Sequence, residues 1–332
     1  MASLYLMEQG SVLRKKSQRL VVEKQGKVLL EIPEFKVDRI LIFGNVQLTT
    51  QAISFLLSSG IDTSFLTMNG RFKGRLTPTE SKNVFLRVKQ HEKYLQPQFK
   101  LSLAKLIVHA KVKNARTLLV RYSRNHPEIN LENAIKELND CILKVDKKET
   151  IKSLMGIEGI AAAIYFEVFG QMLRHELKFI GRNRRPPCDP TNSLLSLGYT
   201  LLTNEMTSLL SATGFDPYIG YFHGLDYGRP SLSLDLIEEL RHAIIDRFVL
   251  YLVNNQIITQ SDFENRNEEG VFLYEEAKKS FFMEYEKYMN RQVDSNLTSE
   301  KKTYRELCRL KVERFQHTVL NDEPFLPYII QG

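Results

Sequence analysis

Apolar residues follow two different spacings along the chain. Up to about Pro78, short runs rich in Val, Ile and Leu alternate with turns, as in "RLVVEKQGKVLLEIP", where "EKQG" predicts a hairpin. The segment "TTQAISFLLSSG" predicts one helix that ends at Gly60. Beyond Pro78, apolar residues recur three and four positions apart almost to the C-terminus, which is typical of amphipathic helices.

These spacings predict an α+β protein with two domains. Residues 1–85 are expected to form a small β-rich domain, and residues 86–332 a larger all-α domain. Near the end, the polar stretch "DSNLTSEKKT" has no helical pattern, and we interpret it as a flexible linker before a last basic helix.

Composition excludes several classes of protein. With 332 residues, of which 43% are hydrophobic and 26% charged, neither global disorder nor a coiled coil is expected. The longest uninterrupted apolar run, "IAAAIYF", is shorter than the roughly 18 residues of a spanning helix, and the first residues lack the order of charged, apolar and small residues that is typical of a signal peptide. We expect a cytoplasmic protein without membrane association.

The three cysteines, which are far apart and odd in number, are expected to be buried, inert thiols.

Positive charge is concentrated in one segment. Residues 71–124 contain fourteen Lys or Arg against two Glu, a net charge of +12, whereas the whole chain carries +7. Such a density favours a nucleic-acid partner, because a polyanion relieves the repulsion. The alternative is a long helix with a solvated basic face.

Acidic residues and one histidine form a candidate metal site. Glu158 interrupts the apolar run "LMGIEGIAAAIYF", and His223 lies in the Gly-rich "YFHGLDYGRP". Asp235 and Glu238 are three residues apart on the next predicted helix, so they share a face whose apolar neighbours indicate a core. A carboxylate there needs a cation, and two carboxylates with an imidazole suit Mg²⁺ or Mn²⁺.

Each of these acids also has an interpretation without a metal. Asp235 can cap its helix, Glu238 can pair with Arg241 or Arg247, and Glu158 can be an exposed acid near a helix start.

The loop "GRNRRPPCDPTN" is a candidate phosphate-binding segment. Arg182, Arg184 and Arg185 precede two prolines that stiffen the chain, and guanidinium groups suit phosphate. The alternative is that these arginines pair with Asp189. Asn192 can cap the next helix or orient a ligand.

Four segments, in this order, resemble the conserved blocks of the CRISPR-associated adaptation integrase family, the universal subunit of spacer acquisition. They are "MGIEGIAAAIYF", "GRNRRPPCDPTNSLLSLGYTLL", "GFDPYIGYFHGLDYGRPSLSLDLIEELR" and "IIDRFVLYLVN". The resemblance is specific over about residues 150–260 and fits nearly the whole chain.

The resemblance implies a function. Family members are homodimers through the β-rich domain, and two dimers flank a dimer of a small ferredoxin-like partner subunit to hold a short double-stranded DNA fragment. Its 3′-hydroxyl ends attack the phosphodiester backbone at a CRISPR repeat in a metal-dependent transesterification, and members also show nuclease activity. Residues 1–85 would then be the dimerisation domain, and residues 86–332 the catalytic and DNA-binding domain of a prokaryotic, cytoplasmic enzyme.

The resemblance also assigns residues. The family's metal-binding Glu, His and acid fall on Glu158, His223 and Glu238, and Asp235 is expected to be a further ligand or to support one. Arg229 resembles a position where family members contact DNA near the active site. Two other classes stay open: a metal-dependent nuclease without strand transfer, and a DNA-binding architectural protein without chemistry.

Overall fold

The structure is a computed structural model that describes residues 2–77, 81, 83–175, 177, 179–183 and 186–331. It divides into two compact units, Met1–Ser81 and Lys82–Gly332. The boundary expected at residue 85 falls in the first turn of the first helix of the second unit, Val84–Tyr94.

The first unit consists of strands and one described helix around a single core. Two four-stranded sheets have the orders β1-β5-β7-β8 and β4-β3-β2-β6. Side chains from both sheets and from helix α1 form the buried cluster. The elements are β1 (Ala2–Leu6), β2 (Val12–Lys16), β3 (Arg19–Lys24), β4 (Lys27–Pro33), β5 (Val37–Phe43), β6 (Gln47–Leu48), α1 (Thr50–Ser58), β7 (Asp62–Leu66) and β8 (Phe72–Leu76).

Two local predictions in this unit are confirmed. Strands β3 and β4 pair as an antiparallel hairpin, and its turn residues Gln25 and Gly26 have φ of 50° and 76°. Positive φ at both central residues is what a type I′ turn requires, and it matches the twist of the strands. Helix α1 ends at Ser58, and Gly60 follows with a φ of 67°.

The outer strand β4 leaves apolar side chains in solvent. Val28, Leu29 and Leu30 are 50%, 45% and 37% exposed, and Phe35, just after the strand, is 71% exposed. Because β4 is at the end of its sheet, its free edge and this apolar patch lie together.

The second unit is mainly helical, and the predicted fold class is confirmed. Helices α4 and α5 pack against α3 and against each other, and α6 packs against α7 and α10. The elements are α2 (Val84–Tyr94), α3 (Pro97–Asn125), α4 (Glu132–Val145), α5 (Ile151–Phe169), α6 (Pro190–Thr213), α7 (Ser231–Ile237), α8 (Arg247–Asn254), β9 (Phe263–Asn265), β10 (Val271–Leu273), α9 (Glu275–Met289), β11 (Gln292–Ser295), β12 (Thr298–Thr303) and α10 (Tyr304–Asn321).

The interpretation of "DSNLTSEKKT" as a flexible linker was wrong. This stretch belongs to a hairpin in which β11 and β12 pair antiparallel, with Ser295 opposite Thr298. The strands are polar and largely exposed, so hydrophobic alternation does not reveal them; backbone hydrogen bonds hold them, and Leu297 at the turn is buried. Thr303 at the end of β12 caps helix α10.

Two further expectations are affected by the structure. Cys141 and Cys308 are buried as expected, but Cys188 is exposed, so the prediction of a buried thiol was wrong there.

By length and composition, Ile151–Met172 is the one described helical stretch that qualifies as a membrane span, although no single uninterrupted apolar run suggested one. Core helices meet the same criterion, and α5 packs against α3 and α4.

Candidate metal centre

The candidate ligands come from separate elements of the second unit. Glu158 is on α5, His223 is in the loop between α6 and α7, and Glu238 directly follows α7. Lys111 on the buried face of α3 contacts both acids, and Asp235 on α7 contacts the histidine. Residues far apart in sequence therefore meet because α3, α5 and the α7 region pack together.

Asp235 organises the histidine loop. Its Oδ2 accepts hydrogen bonds from the backbone N–H groups of Tyr221 and Phe222 at 2.6 and 2.9 Å. Its Oδ1 accepts from the backbone N–H of His223 at 3.0 Å and from His223 Nδ1 at 2.7 Å. Four donors thus satisfy a carboxylate that has no solvent exposure. Asp235 supports the histidine and does not cap its own helix.

This arrangement determines which ring nitrogen of His223 is available. Because both oxygens of Asp235 already accept N–H groups, Nδ1 carries the hydrogen of the neutral ring, and Nε2 is then the nitrogen whose lone pair can bind a cation. Nε2 faces Glu238, with 3.8 Å between it and Oε1. A carboxylate that holds one ring nitrogen so that the other can bind a cation is common in metal sites.

A close backbone approach brings this loop to α7. A Cβ atom added to Gly220 would lie 2.5 Å from Ser231 Cβ and 2.7 Å from the Ser231 carbonyl carbon. Any larger residue would therefore push the loop away from the start of α7. Glycine at this position lets the Tyr221–His223 backbone reach Asp235.

Glu238 is almost fully buried and has several cationic neighbours. Its side chain is 3% exposed; Oε1 is 3.1 Å from Arg241 Nη2, and Oε2 is 2.5 Å from Lys111 Nζ. Burial alone would raise the pKa of Glu238, but the positive charges of Arg241 and Lys111 outweigh it and hold the pKa well below its ordinary value. The pairing of Glu238 with Arg241, one of the two alternatives, is present, whereas Arg247 donates to the Tyr304 hydroxyl.

Lys111 joins the two acids that the sequence analysis selected. Its ammonium group donates a hydrogen bond to Glu158 Oε1 and also contacts Glu238. The Lys111 side chain is 9% exposed and that of Glu158 is 23% exposed. Glu158 is therefore half-buried and paired. In the sequence, Lys111 is one charge of the basic segment, but its place between Val108 and Val112 on the apolar face of α3 could have indicated a buried lysine.

The donors fit a divalent cation once the ammonium group moves. Among the described residues, no three His, Cys, Asp or Glu side chains are already arranged as metal ligands. Glu238 Oε2 touches Lys111 but accepts no well-directed hydrogen bond from the described residues, so a buried anionic oxygen is left available. Two carboxylates and the Nε2 lone pair of His223 suit Mg²⁺ or Mn²⁺, the latter tolerating nitrogen better.

A second buried network lies behind Glu238. Arg241 stacks on the Tyr199 ring, with its guanidinium carbon 4.8 Å from the ring centre, and the Tyr199 hydroxyl donates to Asp246. His242 Nδ1 is 2.6 Å from the other Asp246 oxygen. The backbone from His242 to Asp246 forms a π-helical turn, an irregularity often found at functional sites and not predicted from the sequence.

The arginine loop is held by its own chain. Arg182 donates to Asn192 Oδ1 at 2.7 Å and to Ser196 Oγ at 3.2 Å. Asp189 caps α6 by accepting from the Asn192 backbone N–H, and the Asn192 side chain also donates to it. Asn192 thus links the helix cap to Arg182. Arg184 and Arg185 lie outside the described residues.

Arg229 lies beside the histidine loop. Its Nη2 donates to the His223 carbonyl oxygen at 3.2 Å, and its Nη1 is 3.3 Å from Asp226. The side chain is 34% exposed, and its Nε has no hydrogen-bond partner among the described residues. Of the two predicted DNA-contacting arginines that the structure describes, Arg182 and Arg229, the latter lies next to a candidate ligand.

The basic segment at residues 71–124 is divided between the two units, and not all of its charge is on the surface. Two of its lysines are buried in ion pairs, Lys93 with Asp322 and Lys111 with Glu158 and Glu238. Part of the positive charge therefore balances acids of the same chain. Arg71, Lys73, Lys113 and Arg124 are exposed.

Comparison with known proteins identifies the family that the four sequence segments resemble, and the match extends over most of the sequence. A family model described as CRISPR associated protein Cas1 matches residues 4–287. The CRISPR-associated endonuclease Cas1 3 of Thermus thermophilus is 37% identical over 328 residues, which cover 97% of this chain and 96% of that protein.

Solved structures share the fold. A casposase bound to integration product matches with a TM-score of 0.86 at 24% identity, over 98% of this chain and 93% of that chain. A Cas6-RT-Cas1–Cas2 complex matches with a TM-score of 0.82 at 25% identity, over 97% of this chain. The chain covers only 35% of the matching polypeptide in that complex, which is much longer.

Proposed function

The chain belongs to the Cas1 family of CRISPR-associated proteins, and we propose that it is a metal-dependent DNA integrase of spacer acquisition. It would join the 3′-hydroxyl ends of a short double-stranded DNA fragment to the CRISPR repeat. The observation that carries this proposal is the convergence of Glu158, Glu238 and the free Nε2 of His223. An architectural DNA-binding protein has no need of such a donor set.

The proposed reaction is a transesterification. The 3′-oxygen of the fragment forms a bond to phosphorus in the repeat, and the bond from that phosphorus to the repeat's own 3′-oxygen breaks. The attacking hydroxyl loses its proton, and the departing oxygen gains one. The number of phosphodiester bonds is unchanged, so the reaction needs no protein nucleophile and no external energy source.

The chain's residues have distinct roles in this proposal. Glu158, Glu238 and His223 would hold Mg²⁺ or Mn²⁺, which when bound supplies Lewis-acid polarisation of the phosphate. Asp235 keeps the hydrogen on Nδ1 of His223 and fixes the ring. Arg241 neutralises part of the negative charge on Glu238 and holds its Oε1 in place.

DNA binding is proposed to use cations around this site. Arg229 is half-exposed next to His223, and the exposed part of its guanidinium group suits a phosphate oxygen. Arg182, whose position is set by Asn192, and the neighbouring Arg184 and Arg185 would contact DNA farther along the loop. These phosphate contacts make affinity dependent on salt.

Two partners are also part of the proposal. The exposed apolar edge of β4, with Val28, Leu29, Leu30 and Phe35, supports a homodimer through the first unit. The likeness to the chain in a complex that contains Cas2 supports a partner subunit, which we propose to be small and ferredoxin-like. We propose a prokaryotic, cytoplasmic location for this assembly.

A strand-transfer assay tests the function. A labelled short duplex with free 3′-hydroxyls is incubated with a supercoiled plasmid carrying a CRISPR repeat, with Mn²⁺ or Mg²⁺ and with or without the small partner subunit. We expect label to join the plasmid. Glu158→Gln, His223→Ala and Glu238→Gln should each lower joining by about 100-fold or more while DNA binding persists. Glu167→Gln, an exposed acid on α5, is the matched control.

The products separate the alternatives. Shortened DNA without joined product would favour a metal-dependent nuclease that lacks strand transfer. DNA binding without any reaction, under every metal and with the partner present, would favour the architectural role. If the wild type and the three site variants join the label to the plasmid equally well, the assigned residues do not take part in the reaction.

A further inference from the structure

Lys111 occupies the position between the two candidate metal-binding acids. Its ammonium group is in ionic contact with Glu158 on one side and with Glu238 on the other. It reaches them from α3, where the side chain is 9% exposed and the neighbouring Val108 and Val112 are buried. One cation is therefore shared by both carboxylates.

Two acids this close need a positive charge between them. Glu238 is 3% exposed, so solvent screens little of its repulsion with Glu158. Removing one member of a buried ion pair is strongly destabilising, because a buried charge is left without a partner. Lys111 allows the acids to stay ionised and close together without a metal ion.

Arg241 is a cation of a different kind at this site. It contacts Oε1 of Glu238, and its guanidinium carbon lies 4.8 Å from the centre of the Tyr199 ring, whereas Glu158 acts on it only through a longer-range charge interaction. Stacking and a planar fork hold an arginine in one place, whereas a lysine is a compact charge on a flexible stem. Of the two cations, Lys111 is the one that can leave while the other stays.

We propose that Lys111 is the resident counter-ion of the metal-free centre. Its ammonium group takes the place of the divalent cation between Glu158 and Glu238, and it must swing away when that cation binds. The inference rests on the proposed metal centre. It implies that Lys111 keeps the apo site folded and at the same time lowers the affinity of the site for metal.

The chain contains a matched control for this proposal. Lys311 is 1% exposed and lies 2.7 Å from Glu239, which is fully buried, so it is a second buried lysine in an ion pair. Lys311 also donates to the Leu326 carbonyl, and Glu239 accepts from the Tyr328 backbone N–H. This ion pair holds the C-terminal segment through these two hydrogen bonds, and neither Lys311 nor Glu239 is a candidate metal ligand.

The experiment compares wild type, Lys111→Met and Lys311→Met in the full chain. Thermal unfolding is followed in EDTA and in Mn²⁺, and the Mn²⁺ Kd is measured by electron paramagnetic resonance of the free ion. In EDTA, both variants should unfold at a lower temperature than wild type. Only Lys111→Met should be rescued by Mn²⁺, and its Kd should fall about tenfold or more, because a competing positive charge is gone.

Each outcome has a defined meaning. If wild type binds Mn²⁺ but Lys111→Met binds it with equal or lower affinity, Lys111 is a structural residue, and the inference is overturned while the metal centre stands. If wild type binds no Mn²⁺, the metal centre and the inference both fail. If Lys111→Met does not fold, Lys111→Gln replaces it, since the amide keeps a hydrogen bond to one carboxylate and removes the charge; the same increase in affinity is expected.

Discussion

His223 Nδ1 and Asp235 Oδ1 are 2.7 Å apart, and the same Asp235 carboxylate binds three consecutive backbone N–H groups that include that of His223. One buried acid therefore fixes both the loop and the ring orientation. The position of a candidate ligand depends on a residue that has no free oxygen with which to bind the metal itself.

Asp235→Asn tests this relationship. An asparagine presents one oxygen and one NH₂ group, so at least one of the present N–H donors would face another donor. We expect Mn²⁺ affinity to fall by about 10- to 100-fold, measured by titration calorimetry. Asp226→Asn, an exposed acid of the same loop, should leave the affinity unchanged. Wild-type affinity in Asp235→Asn would contradict the positioning role.

Gly220→Ala tests the close approach of the loop to α7. The added Cβ would lie 2.5 Å from Ser231 Cβ and 2.7 Å from a backbone carbon, so the loop must shift. We expect a loss of about 1–3 kcal/mol in the free energy of unfolding, together with weaker Mn²⁺ binding. Urea denaturation measures the first. Gly156→Ala, at a position on α5 with open space around it, is the control and should not destabilise the protein. A stable Gly220→Ala with normal metal binding would show that the loop tolerates displacement.

Arg229→Ala tests the DNA contact beside the site. If Arg229 binds one phosphate, its removal should weaken DNA binding and lower the slope of log Kd against log salt by about 0.9. The measurement is fluorescence anisotropy with a labelled duplex at several salt concentrations. Arg266→Ala, an exposed arginine paired with Glu264, is the control. An unchanged slope in Arg229→Ala would place the phosphate contacts elsewhere.

The cap of α10 predicts a pH effect on stability. Glu306 accepts from the Thr303 backbone N–H at 2.7 Å and from the Thr303 hydroxyl at 2.9 Å, and these bonds hold the pKa of Glu306 below its ordinary value of 4.5. Because the folded pKa is lower than the unfolded pKa, this contribution to stability is complete above about pH 4.5 and is lost as the pH falls through the folded value.

Glu306→Ala should therefore be destabilised by up to about 1 kcal/mol at pH 7, since solvent screens this exposed carboxylate, and its difference from wild type should shrink towards pH 3. Urea denaturation at a series of pH values measures this. Glu313→Ala, an exposed acid on the same helix, is the control. A difference that stays constant with pH would contradict the role of the ionised carboxylate in the cap.

Lys111 illustrates the limit of reasoning from charge. In the sequence it is one of fourteen basic residues in a segment that was interpreted as binding DNA. Its immediate neighbours do not indicate that Glu158 or Glu238 is its partner. The partners lie 47 and more residues away, and only the packing of α3 against α5 and the α7 region brings them into contact. The sequence shows the high density of positive charge, but it does not show which acids this lysine pairs with.

The sequence by itself determined the α+β class, the hairpin at Gln25–Gly26 and the helical character of the second unit. It also indicated which acids and which histidine belong to one candidate metal site. Periodicity and turn chemistry are local properties, so neighbouring residues suffice to reveal them. Tertiary structure alone decided that β11 and β12 pair, that Asp235 serves His223, and that Lys111 lies between two acids. Those outcomes depend on backbone pairing and burial between distant segments, which no local pattern encodes.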